Sequence, residues 1–127
     1  MSPPADLHFA LEAGCLTVRA TSRHILVNKE EAFLAIASAI QAQLVKAALV
    51  DLREVPGPIT FTDRYQLGEL AGRHLIGTPI ATLVLEEQAD PERIGRIVAR
   101  NRGANVEVFT DLADAQAWLK KYLTPGV

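Results

Sequence analysis

The apolar residues of this chain change period several times, and the order of those changes constrains the fold more than any other feature. Two stretches in which apolar and polar residues alternate, 7–12 and 16–20, flank Ala13-Gly14 and predict a β-hairpin. After the hairpin, segments with helical spacing alternate with short, continuous apolar runs, and an amphipathic segment ends the pattern. The order ββαβαβαβα predicts an α/β fold with a mainly parallel five-stranded sheet, an antiparallel edge strand and four helices.

Apolar runs and capping residues place the later elements. Continuous apolar runs at 47–52, 80–85 and 106–109 predict strands, and the first of them is expected to be central because only Asp51 interrupts it. Asn28 with Glu31, and later Asp90-Pro91, are typical of helix N-termini. The four helices are expected to span about 28–44, 62–77, 91–103 and 112–122.

Composition limits the classes of partner and compartment. The 127 residues fit one domain, 1–127, and a net charge of −2 argues against binding nucleic acid or an anionic membrane surface. Cys15 is the only cysteine, so no disulfide can form within the chain and a cytoplasmic setting is expected. No apolar stretch approaches the roughly 20 residues that a membrane-spanning helix needs.

The most distinctive motifs lie in the last third of the chain. Asn101-Arg102-Gly103 precedes Val106-Glu107-Val108-Phe109, and Asp111 precedes Ala115-Gln116-Ala117-Trp118-Leu119. Together with the element order, these residues resemble the STAS domain of sporulation-type anti-sigma-factor antagonists, and in particular a bacterial STAS-like branch. The resemblance implies a nonenzymatic, cytoplasmic regulatory module that binds a protein partner. It also implies that Asp51 matches the family's acidic residue at the end of the central strand.

Some STAS domains are switched by phosphorylation of a serine or threonine at the start of the helix that follows the central strand. The corresponding segment here, 52–63, contains no serine, and Thr60 and Thr62 offer its only hydroxyl groups. The resemblance therefore implies Thr62 or Thr60 as the phosphoacceptor. The alternative is that Thr62 only caps the helix, since threonine is a preferred capping residue.

Charged residues around the same segment suggest a binding site for a partner or a ligand. Open α/β sheets bind ligands at the carboxyl ends of their strands, where Asp51 and Arg53 are expected beside Thr21-Ser22. Asp63 and Arg64 are expected to form a second charge pair there. The alternative interpretation is that both pairs are solvated loop residues.

The third predicted helix carries Arg93, Arg96 and Arg100, and Glu92 can pair with Arg96 at four-residue spacing. These arginines indicate a solvent-exposed face or, alternatively, a contact surface for an acidic partner. Trp118 is expected to close the core beside the last helix.

A second functional class is a carrier or sensor of a small apolar, lipid-like ligand. The fold also resembles the CRAL-TRIO lipid-transfer domains, and the second helix presents Leu67, Leu70, Leu75 and Ile76, which are expected to wall a pocket between helix and sheet. A symmetric homodimer is the default expectation for self-association.

Enzymatic classes find little support in the sequence. A receiver domain would need an acidic pair after its first strand and a lysine after its last, and neither is present. No metal-binding motif, cofactor motif or catalytic triad is found, so no catalytic residue, metal ligand or cofactor is expected. His8, His24 and His74 are scattered, and only a cleft that joined Asp51 and a histidine to a nucleophile would favour an enzyme.

Overall fold

The computed structural model describes residue 4 and residues 6–123, in which five strands form one mixed sheet with helices on both faces. The strands are β1 (Leu7–Glu12), β2 (Cys15–Ala20), β3 (Ala47–Asp51), β4 (Ile80–Leu83) and β5 (Val106–Phe109). The helices are α1 (His24–Val27), α2 (Lys29–Gln43), α3 (Phe61–His74), α4 (Ile94–Asn101) and α5 (Leu112–Leu123), and a 3-10 turn (Glu86–Gln88) follows β4. The predicted α/β fold is confirmed, with four longer helices and the short α1 in addition.

The two-residue turn between β1 and β2 explains the antiparallel edge of the sheet. Ala13 and Gly14 have φ angles of 50° and 84°, as the tight hairpin turns with two left-handed residues require. Leu7 then pairs with Ala20 and Glu12 with Cys15. The predicted hairpin is confirmed.

The remaining strands are parallel, and their order in space is the order of the sequence, β1-β2-β3-β4-β5. Every residue of β3 is buried, which confirms the central strand inferred from its apolar run. Its side chains alternate between two cores. Ala48 and Val50 face helices α1 to α4, whereas Ala47 and Leu49 face α5.

Glycines bring α3 and α4 into close contact. A Cβ atom added to Gly68 would lie 2.6 Å from the carbonyl oxygen of Gly95 and 2.8 Å from Val98 Cβ. Such a distance leaves no room for a side chain. The two helices therefore cover the sheet as a tightly packed pair.

The starts of α2 and α3 lie within one residue of the expected ones, and only the start of α4 differs by more. The short helix α1 was not predicted, and Asn28 lies between α1 and α2 without donating or accepting a side-chain capping bond. Helix α3 begins at Phe61, one residue before the expected start. Helix α4 begins at Ile94 rather than at Pro91, although the Asp90 carboxylate does accept hydrogen bonds from the Ile94 and Glu92 amides.

Candidate functional site

Asp51 and Arg53 form the charge pair that the sequence predicted at the end of β3. Asp51 is buried, and Arg53 donates to its two carboxylate oxygens from Nε at 3.1 Å and from the terminal nitrogen at 3.0 Å. The Arg53 backbone N–H donates to the same carboxylate at 3.0 Å. The hydrogen bonds to Asp51 raise the pKa of the Arg53 guanidinium above its usual range. Both groups are thus engaged with each other, which fits a role in holding the end of the strand.

The other two charged candidates are brought together with different partners. Asp63 accepts from Lys29 Nζ at 2.9 Å, whereas Arg64 donates to the backbone carbonyl of Gln88 at 2.8 Å. Burial opposes ionisation of Asp63, but hydrogen bonds from Thr60 and Lys29 lower the pKa of Asp63 below its ordinary value. The predicted Asp63–Arg64 pair is wrong, because adjacent residues of a helix project in different directions.

The two threonine candidates occupy different positions at the start of α3. Thr60 is the N-cap: its hydroxyl accepts from the Asp63 amide, and the Asp63 carboxylate accepts from the Thr60 amide, each at 3.0 Å. Thr62 is an exposed residue of the first turn, so the alternative that made it the cap is wrong. The spacing of a threonine and an acidic residue at 60 and 63 is the sequence signal that identifies the correct cap.

Thr21 and Ser22 bind the segment before β1. The Thr21 hydroxyl donates to the carbonyl of Asp6 at 3.2 Å, and Ser22 Oγ donates to its carboxylate at 2.6 Å. The hydroxyls expected beside Asp51 are therefore occupied at the edge of the sheet.

Gln88 is a central residue that the sequence analysis missed. This buried side chain donates from Nε2 to the carbonyls of Leu52 at 2.9 Å and Val55 at 3.2 Å, and its Oε1 accepts from the Leu85 amide at 2.7 Å. It thereby ties the segment after β3 to the segment after β4. Its sequence neighbours, Glu86 and Glu87, are exposed, and no local signal identifies Gln88 as buried.

A cavity of about 130 Å³ lies between helices α2, α3 and α4 and the sheet. We call it the helix–sheet cavity. Most of its wall is apolar and includes Phe33, Ile36, Leu67, Ala71, Leu75 and Val108. Leu67 and Leu75 line the cavity as expected, whereas Leu70 is buried in the core and Ile76 is 60% exposed outside the wall.

A few polar side chains interrupt this apolar wall, and most are already bound within the protein. Arg96 donates to both carboxylate oxygens of Glu107, at 2.7 and 3.1 Å, rather than to the expected Glu92. Burial opposes ionisation of Glu107, but Arg96 outweighs it and lowers the pKa of Glu107. The amides of Ile94 and Glu92 lower the pKa of Asp90, with a contribution from Arg64. Within the described residues, Arg93 forms neither a side-chain hydrogen bond nor an ion pair.

A separate surface feature lies at the start of α3. Phe61 is 60% exposed and Tyr65 is 38% exposed, and their rings are stacked with centroids 6.4 Å apart. The Arg102 guanidinium lies 5.7 Å from the centroid of the Tyr65 ring. Phe61 and Tyr65 together form an exposed apolar patch at the start of α3.

The remaining candidates lie away from the cavity. None of the three histidines lines it, and His74 instead approaches Glu30 at 3.3 Å. Across residue 4 and residues 6–123, no group of three or more histidine, cysteine or acidic side chains is arranged to hold a metal ion. Trp118 packs on the α5 side, with its ring 5.9 Å from Phe109 and 5.1 Å from Tyr122.

Comparison with known proteins adds no family assignment. No protein-family model matches the chain, and no curated protein is significantly similar to it. None of the helices in the described part of the chain combines the length and the apolar character of a membrane span.

Proposed function

We propose that this domain binds a small apolar ligand in the helix–sheet cavity. The observation that carries the proposal is the cavity itself, about 130 Å³ with an almost entirely apolar wall. An engineered apolar cavity of about 150 Å³ binds benzene and stays free of water, so this cavity has room for a group of about that size.

The apolar character of the wall supports the proposal. The cavity is partly open, so an apolar group can enter it and leave water for an apolar wall. Removing apolar surface from water is favourable by about 25 cal/mol per Å².

A binding role rather than an enzymatic one agrees with the chemistry of the wall. Gln88, Asp90 and Arg96 use their polar atoms in bonds within the protein, and the histidines lie elsewhere. Asp51, the acidic residue considered for an enzyme, does not line the cavity and is bound to Arg53. We therefore propose a nonenzymatic carrier or sensor, with no metal or cofactor.

Two substitutions of alanine by leucine test the proposal. Ala71 lines the cavity from α3, so Ala71→Leu fills part of it, whereas Ala117→Leu adds the same atoms to an exposed position on α5. We would titrate each protein with 1-hexanol and detect binding from the shifts of methyl NMR signals and from the melting temperature. The unmodified protein and Ala117→Leu should both show saturable binding. Ala71→Leu should bind at least tenfold more weakly.

Ala99→Leu fills the cavity from α4 and provides a second test if Ala71→Leu does not fold. Circular dichroism of each variant establishes that it is folded before the titration. Equal binding by both filled variants and the unmodified protein, or no saturable shift in any of them, would refute the proposal.

The exposed aromatic pair favours a second function, the binding of a protein partner through the start of α3. Phe61 lies within segment 52–63, in which the STAS resemblance implies a phosphorylation site, and Tyr65 lies two residues beyond it. The resemblance to STAS domains, the cytoplasmic location, phosphorylation of Thr60 or Thr62, and a homodimer all stay predictions.

Crosslinking in a native extract separates this function from the first. The double variant Phe61→Ser/Tyr65→Ser should lose a crosslinked partner that is retained by Leu44→Ser, which replaces another exposed apolar residue, at the end of α2. Mass spectrometry of the same native protein should place any phosphate on Thr62, and Thr62→Ala should remove it. A partner retained by the double variant would exclude this surface.

A further inference from the structure

The charges around the helix–sheet cavity do not cancel locally. Four charged side chains contribute to its wall, Arg64, Asp90, Arg93 and Arg96. Arg96 is neutralised by Glu107, with which it forms two hydrogen bonds. Asp90 is the only acidic residue in the wall, and its attraction to Arg64 contributes to its lowered pKa. Arg64 donates to the Gln88 carbonyl, and Arg93, an exposed residue, is the guanidinium of the wall that no described residue binds.

Arg93 is also conformationally unusual. Its φ of 55° and ψ of 40° place it in the left-handed region, which costs a residue other than glycine about 1 kcal/mol or more. Backbone hydrogen bonds hold it there, from Arg93 to the Asp90 carbonyl at 3.1 Å and from Ile97 to the Arg93 carbonyl at 3.0 Å. Because Arg93 is exposed and bound to no other side chain, its guanidinium is available to an anion that enters the cavity.

A second polar group in the wall lacks a partner. Thr82 lies on β4 between Val50 and Val108, and its hydroxyl forms no hydrogen bond within the described residues. Thr82 is half-buried and its hydroxyl is accessible, so this group is free to bind a polar atom of a ligand. A ligand with only hydrocarbon would use neither Thr82 nor Arg93.

From these observations we infer that the ligand is a small organic anion, a carboxylate of about six to eight carbon atoms with an apolar body, in keeping with the size of the cavity. The apolar body occupies the cavity, and the carboxylate accepts hydrogen bonds from the Arg93 guanidinium. The inference rests on the proposed ligand-binding function and specifies its ligand class.

Other acidic residues near Arg93 do not remove the preference. Glu86, Glu87 and Glu92 belong to the same connection between β4 and α4, but they are exposed, do not line the cavity and form no ion pair with Arg93. Arg93 is exposed as well, so solvent and salt screen its attraction to these glutamates across the distance between them, whereas a carboxylate bound against Arg93 is in direct contact with it.

Matched probes of equal chain length test the inference. Hexanoate and 1-hexanol each have six carbon atoms in all and differ mainly in their head group, a carboxylate or a hydroxyl. Calorimetric titration at pH 7 and low salt should show hexanoate binding about tenfold more tightly, because hydrogen bonds between charged groups are stronger than those of a neutral hydroxyl. Arg93→Gln should lower the affinity for hexanoate about tenfold and leave the affinity for 1-hexanol unchanged.

Lys46→Gln is the control for charge alone. Lys46 is exposed immediately before β3, outside the cavity wall, and its replacement removes one positive charge as Arg93→Gln does. Its affinity for hexanoate should equal that of the unmodified protein, and an equal loss in both variants would overturn the inference. So would hexanoate binding no tighter than 1-hexanol, although the proposed function would stand. If neither probe binds, the proposed function itself fails.

Discussion

Replacing Gln88 should reveal how much a single buried amide contributes to the carboxyl ends of the strands. Gln88→Ala removes the hydrogen bonds to the Leu52 and Val55 carbonyls and from the Leu85 amide. Each such bond contributes about 1 kcal/mol to stability, so we expect a loss of about 3 kcal/mol. Because small domains are stable by only about 5–15 kcal/mol, this loss is a substantial fraction of the whole.

Gln88→Glu tests the direction of the same hydrogen bonds. The new carboxylate keeps an acceptor for the Leu85 amide, but it places an oxygen where the native Nε2 donates to two carbonyls. Burial and the facing carbonyl oxygens favour the protonated form, so the pKa of the new carboxyl is raised in the folded state. The destabilisation therefore grows as the pH rises through the unfolded and then the folded pKa, and it is larger at pH 7 than at pH 4.

Urea unfolding followed by the fluorescence of Trp118, the only tryptophan, measures both effects. Gln41 is an exposed residue of α2, and Gln41→Ala and Gln41→Glu should change the free energy of unfolding by no more than about 0.5 kcal/mol. A loss for Gln88→Ala no greater than for Gln41→Ala would refute the role assigned to Gln88. A pH-independent effect of Gln88→Glu would refute the assigned orientation of its amide.

Two further substitutions probe the helices that cover the cavity. Gly68→Ala should lower the free energy of unfolding by about 1–2 kcal/mol, because the added methyl group would overlap Gly95 and this cost exceeds the gain in helix propensity. An increase in stability, measured by urea unfolding, would contradict the close contact between the helices. Asp63→Asn should cost about 1 kcal/mol at pH 7. Because the pKa of Asp63 is lowered in the folded state, the stability that its carboxylate contributes is complete above the ordinary pKa of 3.8 and is lost as the pH falls through the folded pKa. The variant should therefore lose less stability on acidification than the unmodified protein. Parallel acid unfolding curves of the two proteins would contradict this.

The elements that depend on short-range pattern were predictable from sequence. The hairpin follows from alternating residues around Ala13-Gly14, and β3 follows from a continuous apolar run, because a strand covered on both faces needs no polar side. The capping residue at 60 was predictable as well, since Asp63 stands three residues later. The predicted ion pair between Asp63 and Arg64 failed because adjacency in the sequence was taken to mean that the two side chains meet in space.

The interior of the site was not predictable, because it depends on contacts between distant segments. Gln88 meets carbonyls 33 and 36 residues earlier in the chain, and Arg96 meets Glu107 on another element. The cavity depends on the distance between α3 and α4, which Gly68 and Gly95 set only once the two helices face each other. Nothing local distinguishes these residues from ordinary loop and helix positions.

The agreement between strand order in space and in sequence has a consequence for how the chain is made. Each strand joins the free edge of a sheet that already exists, and none has to insert between two others. A chain growing from its amino end can therefore add its segments in turn as they emerge from the ribosome. However, the face of the sheet formed by Ala47, Leu49 and Ala81 is covered only by α5. Until residues 112–123 have been synthesised, the nascent protein therefore exposes an apolar surface, and we expect it to be most prone to aggregation at this stage.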